Sequence, residues 1–266
     1  MIRIAVRLAE SITAGTDSDN GRQVCARRFS GTLLTMSDPA DRAQRSDAAA
    51  ALAALAESVR ACVKCGLCTG RTQVVFGVGS ADAELMFVGE GPGFHEDKQG
   101  EPFVGQAGKL LTELLAGIGL ARSDVYIANV VKCRPPENRD PTPDEIEACS
   151  PHLMDQISVI RPRVICTLGR FATRSLADTE LSITAIHGKV KERTFAGIST
   201  LVFPVFHPAA ALYTPANRKV LEEDFAKLRL LLGRGAAEPE GAPEPESGPA
   251  PGTGPASRST EQLPLW

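Results

Sequence analysis

The sequence predicts an α/β fold: a single-domain, three-layer αβα architecture around a central, mostly parallel four-stranded sheet. Three observations carry that expectation. Four short runs rich in apolar and β-branched residues read as strands: ELMFVGE (84–90), VYIANVV (125–131), RVICTLG (163–169) and STLVFPVF (199–206). Helical stretches separate the first three, notably AGKLLTELLAGIG, where Leu110, Leu111, Leu114, Leu115 and Ile118 fall on one face. Strands alternating with helices are the pattern of a parallel sheet covered on both sides, and sites in such sheets form at the carboxyl ends of the strands.

Taken in order, residues 1–45 are polar, carry scattered charge and lack periodicity, so they are expected to be a disordered N-terminal extension, within which Met36 offers a second possible start. The Ala/Leu-rich segment 47–61, DAAAALAALAESVRA, has apolar positions at helical spacing and predicts a helix leading into the first cysteines. The four strands and their helices then occupy a compact domain over residues 46–233, which closes on a last helix, RKVLEEDFAKLRLLLG. Residues 234–261 are rich in Gly, Pro, Glu and Ser, cannot build a core and read as a disordered linker. The final five residues, QLPLW (262–266), are a separate apolar peptide containing the chain's one tryptophan.

Composition narrows the function classes. With 43% hydrophobic residues in 266, the chain can bury a full core in one domain with extensions to spare. No apolar run approaches the ~18 residues of a membrane span. The opening stretch MIRIAVRLAESITAG is broken by Arg3, Arg7 and Glu10, which argues against a signal peptide. A cytoplasmic, nucleoid-associated monomer without a membrane partner is the expectation. Net charge is −3, and residues 234–266 alone hold five Glu and two Arg, a balance of −3, so the rest is close to neutral. Any phosphate-binding surface is therefore a local patch rather than a bulk basic field.

The seven cysteines are an odd number in a chain without an export signal, which favours metal or cluster ligation over a disulfide framework. CVKCGLC supplies Cys62, Cys65 and Cys68; KCRPPENRDPTPDEIEACS supplies Cys133 and Cys149 with fifteen residues between them. Two intervening residues let a pair of sulfurs reach one metal centre from a single turn. TPDE has the signature of a helix start, with Thr142 as N-cap, Pro143 at the first helical position and Glu145 closing a capping box. Cys149 then lies about two turns along, where it can face Cys133 at a strand end. The spacing, read with no nearby His, favours an iron–sulfur cluster over zinc and leaves zinc open. Cys68 is a spare candidate, and Cys166 reads as a small buried hydrophobe.

Polar residues stand at three predicted strand ends. After the first strand, FVGEGPGFHEDKQGEPFVGQAGKLL has Gly89, Gly91 and Gly93 for a sharp turn and close ligand approach, with Glu90 between them. This run matches neither a phosphate-binding P-loop nor a dinucleotide fingerprint. The second strand ends in Asn129, whose amide offers a donor and an acceptor. The fourth leads into FHPAAALY, with His207 at the start of a loop.

These motifs together resemble the family 4 uracil-DNA glycosylases, the iron–sulfur branch of that superfamily. The resemblance covers roughly residues 58–233 and rests on CVKC, RTQVVFGVG, VGEGPGFHEDKQGEPFVGQAGKLL, YIANVVKCRPPENRDPTPDEIEAC and FHPAAAL. It implies a uracil-DNA glycosylase-like α/β fold, release of uracil from DNA to initiate base excision repair, and a [4Fe–4S] cluster held by Cys62, Cys65, Cys133 and Cys149, with Cys68 not a ligand. By the same resemblance, Phe103 would stack on an everted uracil, Asn129 would pair with its polar edge beside Gly91, and His207 would donate to the oxygen where negative charge develops. Glu90 is the choice for positioning water or offsetting the positive sugar, a role that Glu96 or Asp97 would share. Lys132, Arg134 and Arg139, with Lys109, Lys189 and Arg218, are phosphate candidates, and Leu212 or Tyr213 is the wedge candidate. The chain departs from the family at His187-Gly188, where members often carry Arg-Gly, and it lacks the long basic loop of the branch that bonds covalently to uracil-DNA. A non-catalytic iron–sulfur protein that binds damaged DNA on the same fold is the alternative.

QLPLW resembles the short peptide by which bacterial repair and polymerase proteins dock on the sliding clamp. Gln262 would bond the pocket rim while Leu263, Leu265 and Trp266 fill an apolar groove.

Overall fold

The computed structural model describes residues 39–233, with side chains described from residue 46 onward. The expected linker (234–261), the terminal peptide (262–266) and residues 1–38 of the expected extension lie outside the described residues. The first helix, α1 (Pro39–Arg60), starts about two turns earlier than the apolar periodicity predicts. Proline at a first helical position has its φ already set for a helix and lacks only an N–H that would have no partner there, so a polar segment is carried into the helix.

Strands β1 (Val78–Gly79), β2 (Leu85–Gly89), β3 (Tyr126–Asn129), β4 (Val164–Leu168), β5 (Lys191–Phe195) and β6 (Ile198–Val205) form one sheet in the order β1-β3-β2-β4-β6-β5. The four strands expected from the sequence are its parallel centre: β2 pairs parallel with β3 and β4, and β4 with β6. Two antiparallel edge strands, β1 beside β3 and β5 beside β6, extend it to six. Edge strand β5 reads KERTF, with a mostly exposed, polar pattern that carries no buried-strand signal. It is joined to β6 by the two residues Ala196 and Gly197, at φ 50° and 79°. Positive φ at both central positions is the turn that matches strand twist, here built on Ala-Gly rather than the more recognisable Asn-Gly.

Every residue of β2 and β4 is buried, as expected for central parallel strands covered on both faces. The two-residue period then sorts their side chains into two cores. Leu85 and Phe87 of β2, Cys166 of β4 and Phe203 of β6 pack on one side with Leu111 and Leu115 of α3 (Gln106–Gly117) and Leu221, Phe225 and Leu228 of α8 (Pro215–Leu231). Phe87 and Phe225 stack there with ring centroids 5.8 Å apart. On the other side Met86, Val88, Ile165 and Val202 meet Leu52 of α1, Leu153 and Ile157 of α4 (Pro143–Ile160), and Ala172 and Leu176 of α5 (Arg170–Ala177). Three short helices, α2 (Phe94–Gln99), α6 (Ile183–Ile186) and α7 (Ala209–Leu212), lie in the connections. The result is the three-layer arrangement, with the chain crossing from β2 to β3 on one side and to β4 on the other. A ligand crevice forms outside the strand ends at such a reversal.

Helix α4 starts as its sequence predicts. Thr142 Oγ1 accepts from the Glu145 amide, and Glu145 Oε2 accepts from the Thr142 amide at 2.8 Å. Glu145 also receives Arg139 in a two-pronged pair, at 2.9 and 2.7 Å. The Arg139 hydrogen bonds hold the Glu145 carboxyl at about 2, below its ordinary 4.5. Because the folded value is depressed, this stabilisation is complete above the ordinary carboxylate range and is lost as pH falls through the folded value. Glu145→Gln is therefore expected to destabilise the protein by about 1–2 kcal/mol near neutral pH. The gap to the unsubstituted protein should shrink steadily below about pH 4.5, and denaturant melts at a series of pH values would measure it.

Candidate active site and cysteine cavity

The strand-end residues meet. Glu90 follows β2, Asn129 ends β3, and His207 follows β6 by two residues; all three line one cavity of about 370 Å³, together with Gly91, Phe103, Pro135 and Arg139. Its size falls in the range of small-molecule sites. Asn129 is 2% exposed, and its side-chain Oδ1 is buried with no hydrogen-bond partner among the described residues. An amide oxygen left so costs about 1–3 kcal/mol unless a ligand meets it. Gly89 makes this arrangement possible. A Cβ at that position would lie 2.5 Å from Asn129 Oδ1 and 2.7 Å from the Phe103 ring.

Phe103 is held in an uncommon conformation. Its φ is 56°, in the left-handed region that an aromatic residue avoids. Three contacts fix it: Glu96 Oε1 accepts from the amides of Val104 (3.0 Å) and Gly105 (3.1 Å), Arg122 donates to Pro102 O (3.0 Å), and Gly108 leaves room for the Phe103 carbonyl, 1.7 Å from where a Cβ would be. The Phe103 ring lies nearly parallel to that of His207, with centroids 5.6 Å apart. Glu96 thus lines the cavity but spends one carboxylate oxygen on the Phe103 loop. Asp97 is buried, accepts from the Thr72 amide at 2.8 Å, and lies outside the cavity lining.

The two titratable groups expected to act are shifted in opposite directions by the same cause. Burial lowers His207 to about 4, with Glu96 opposing. Its Nδ1 faces the Ala209 amide at 3.1 Å, so in the neutral ring Nδ1 accepts and the proton sits on Nε2. Glu90 is raised by burial and by the nearby Asp140, against the pull of Arg170. Asp140 is itself ion-paired to Arg170.

Around the cleft, Arg139 is exposed and carries its pair with Glu145, while Arg134 donates to Asn138 Oδ1 (2.8 Å) and stacks over Phe94 at 5.1 Å. Leu212, at the end of α7, is 39% exposed, and the adjacent Tyr213 is 89% exposed. Lys132 is corrected by the structure. Only 1% exposed, it donates from Nζ to Asn129 O (2.9 Å) and Gln156 Oε1 (2.5 Å), so it presents no ammonium to a phosphate. Arg218 is likewise committed, to Glu113 (3.0 Å) and Glu222 (3.1 Å), between α3 and α8. Lys109 and Lys189 are exposed. His187 bonds through Nδ1 to the buried carboxylate of Asp224 (2.7 Å), which also takes Lys227 (2.8 Å), and it packs on Phe206.

A second, smaller cavity is lined by Cys62, Cys65, Cys68, Cys133 and Cys149 with Arg71, Lys132 and His152. Sulfur meets N–H groups here: Arg71 donates to Cys133 Sγ (3.4 Å) and the Lys132 amide to Cys149 Sγ (3.3 Å), while His152 Nε2 sits 3.3 Å from Cys62 Sγ. Such donors suit sulfurs that carry negative charge, as metal-bound thiolates do. Among the described residues no three His, Cys, Asp or Glu side chains are drawn together as a set for a single ion. Arg71 and His152 were not anticipated. His152 had a readable signal, since it lies three residues past Cys149 on α4 and so on the same helix face.

Comparison with known proteins gives the chain's family. A model of the uracil DNA glycosylase superfamily matches residues 76–229. The chain is 53% identical over 180 residues to a type-4 uracil-DNA glycosylase of Sulfurisphaera tokodaii, covering 66% of this chain and 82% of that protein. It is 52% identical to one of Archaeoglobus fulgidus, covering 66% and 90%, and 48% identical to one of Thermotoga maritima, covering 65% and 90%. A type-5 uracil-DNA glycosylase of Pyrobaculum aerophilum is more distant, at 34% over 177 residues. The chain belongs to the uracil DNA glycosylase superfamily, in its type-4 family.

Proposed function

We infer that this protein is a uracil-DNA glycosylase, which hydrolyses the N-glycosidic bond of deoxyuridine in DNA, releases uracil and leaves an abasic site for base excision repair. The observation that carries the reading is the unpartnered Asn129 amide oxygen, buried in the same cavity as Phe103, His207 and Glu90. A base inside a duplex is out of reach, so the nucleotide must be everted into the cavity, at a cost of a few kcal/mol. Phe103 offers a face for the base. Asn129 Oδ1 accepts the N–H of uracil, where cytosine has a lone pair instead, and a site built on such a bond rejects the wrong partner strongly.

Bond cleavage leaves the electron pair on uracil and positive charge on the sugar, so both signs need stabilising. His207, neutral at physiological pH, already carries on Nε2 the N–H that donates to the uracil oxygen, so it need not first take up a proton. Glu90 takes the other half: ionised, it offsets the sugar cation and receives the proton of the water that adds to it. Arg134 and Arg139 would contact phosphates and Leu212 would fill the gap left by the everted nucleotide. Cys62, Cys65, Cys133 and Cys149 are the residues that would hold a [4Fe–4S] cluster, which, since hydrolysis moves no electrons, supplies a tie between the loops bearing Arg134 and Arg139 and the rest of the fold.

The test is a uracil-containing oligonucleotide treated with protein and then alkali. Strand cleavage is expected from the unsubstituted chain; its absence would leave the alternative, a non-catalytic binder of damaged DNA. His207→Ala should lower kcat about 10²–10³-fold, the loss seen when a single oxyanion donor is removed. On the acid side, kcat/KM should fall as Glu90 takes up a proton, at a pH above the ordinary carboxylate value of 4.5, while His207 remains neutral until about 4. Gly89→Ala should impair both binding and turnover by displacing Asn129 and Phe103 together.

The terminal peptide Gln262–Trp266 supports a further partner, the bacterial sliding clamp, reached on a linker of about 30 Å root-mean-square span. Removing residues 262–266 should abolish clamp binding in a titration with purified clamp and leave excision on naked DNA unchanged; equal affinities with and without the peptide would exclude this partner.

A further inference from the structure

Helices α3 and α8 leave a groove of about 440 Å³ between them, separate from the cleft lining. Its floor is apolar, formed by Leu114, Ile118 and Phe225. The dent exists because Gly117 and Ala226 stand where larger residues would close it, and Leu230 forms a wall that is 68% exposed. At the same groove Arg229 Nε is buried with no hydrogen-bond partner among the described residues. A large exposed apolar side chain beside an apolar dent and an unsatisfied buried donor is unfavourable for a surface that meets only water.

We propose that this groove is the resting place of the chain's own peptide 262–266: Leu263, Leu265 and Trp266 fill the apolar floor, and an acidic side chain of the same tail meets Arg229. Connectivity favours this occupant over others. The helix that forms one side of the groove is the one from which the tail departs, and the described chain ends at Gly233, three residues past Leu230. Residues 234–261 span about 30 Å root-mean-square at their Gly/Pro-rich composition, ample to turn back along α8. Tethering at that length holds the peptide at roughly millimolar effective concentration, so even a weak intrinsic affinity keeps it docked. Arg218 in the same lining is already paired to Glu113 and Glu222, which leaves Arg229 Nε as the donor without an acceptor, and the tail's five Glu supply acceptors for it. The inference holds whether or not the sliding clamp is a partner; if it is, the clamp draws on the same five residues and must displace them.

Trp266 is the only tryptophan, so its fluorescence in the full-length protein reports on the tail alone. Its emission should lie to the blue of that of a free peptide of residues 258–266, and acrylamide should quench it several-fold less. Ala226→Glu and Leu230→Glu, both at exposed positions of α8, should each move emission and quenching to the free-peptide values with little change in melting temperature. Emission matching the free peptide in the unsubstituted chain would overturn the proposal. So would a blue shift that survives both substitutions, which places Trp266 elsewhere, and one that fades on dilution, which assigns the groove to the tail of a second copy.

Discussion

A buried lysine joins the active-site end of β3 to the cysteine cavity. Lys132 Nζ has no water to turn to and is lowered to about 7 by burial, so its donors must find acceptors inside. It gives one bond to the main-chain oxygen of Asn129 and one to Gln156, whose own amide then donates to Phe76 O (2.9 Å) and Tyr126 Oη (3.0 Å). The same residue's main-chain N–H points to Cys149 Sγ. One side chain and one amide thereby fix the end of β3, the inner face of α4 and the wall of the cysteine cavity in a single frame. Losing either acceptor would strand a buried donor, so the turn from Asn129 to Cys133 has little freedom to relax.

That frame explains why the cleft can carry groups in unfavourable states. Desolvation pushes His207 toward its neutral form and Glu90 toward its protonated form, the direction burial always favours. For the histidine the consequence is useful, because a neutral donor needs no counter-ion in the pocket. For the glutamate it is a tension: Asp140 worsens it and Arg170 relieves it, so the Asp140–Arg170 pair beside the cleft adjusts the carboxylate from outside the substrate's reach. Burial thus sets the direction of both shifts, with Glu96 opposing it at His207 and the Asp140–Arg170 pair adjusting it at Glu90.

The parallel centre of the sheet was legible because buried central strands must be continuously apolar, and the three strand-end residues were legible because a polar side chain closing such a run has few structural reasons to be there. Edge strand β5 was not, since a strand half in water needs no apolar pattern and its Ala-Gly turn is weakly marked. Lys132 was misread for a related reason. In sequence it lies two positions from Arg134 and looks like part of a basic patch, yet the end of a buried strand carries it inward, and nothing local in the chain distinguishes a lysine that meets water from one that meets Gln156, 24 positions away. Glu96 was named only as a residue that would share the role of Glu90; its hold on the Phe103 loop was not legible, as its partners there are main-chain amides whose position depends on the conformation of Phe103.

Two departures from ease, the left-handed Phe103 and the unpartnered Asn129 oxygen, lie against the same glycine. A backbone in that region costs of order 1–3 kcal/mol at an ordinary residue, and an unmet amide oxygen costs a similar amount. Such costs persist only where the surroundings over-determine them, and here they do: Glu96, Arg122 and Gly108 lock the first, Lys132 and Gly89 the second. In the free protein neither is relieved. A flat base entering between them would satisfy the amide and meet a ring face already in position, so part of its binding free energy would come from an acceptor that the fold holds unmet in advance.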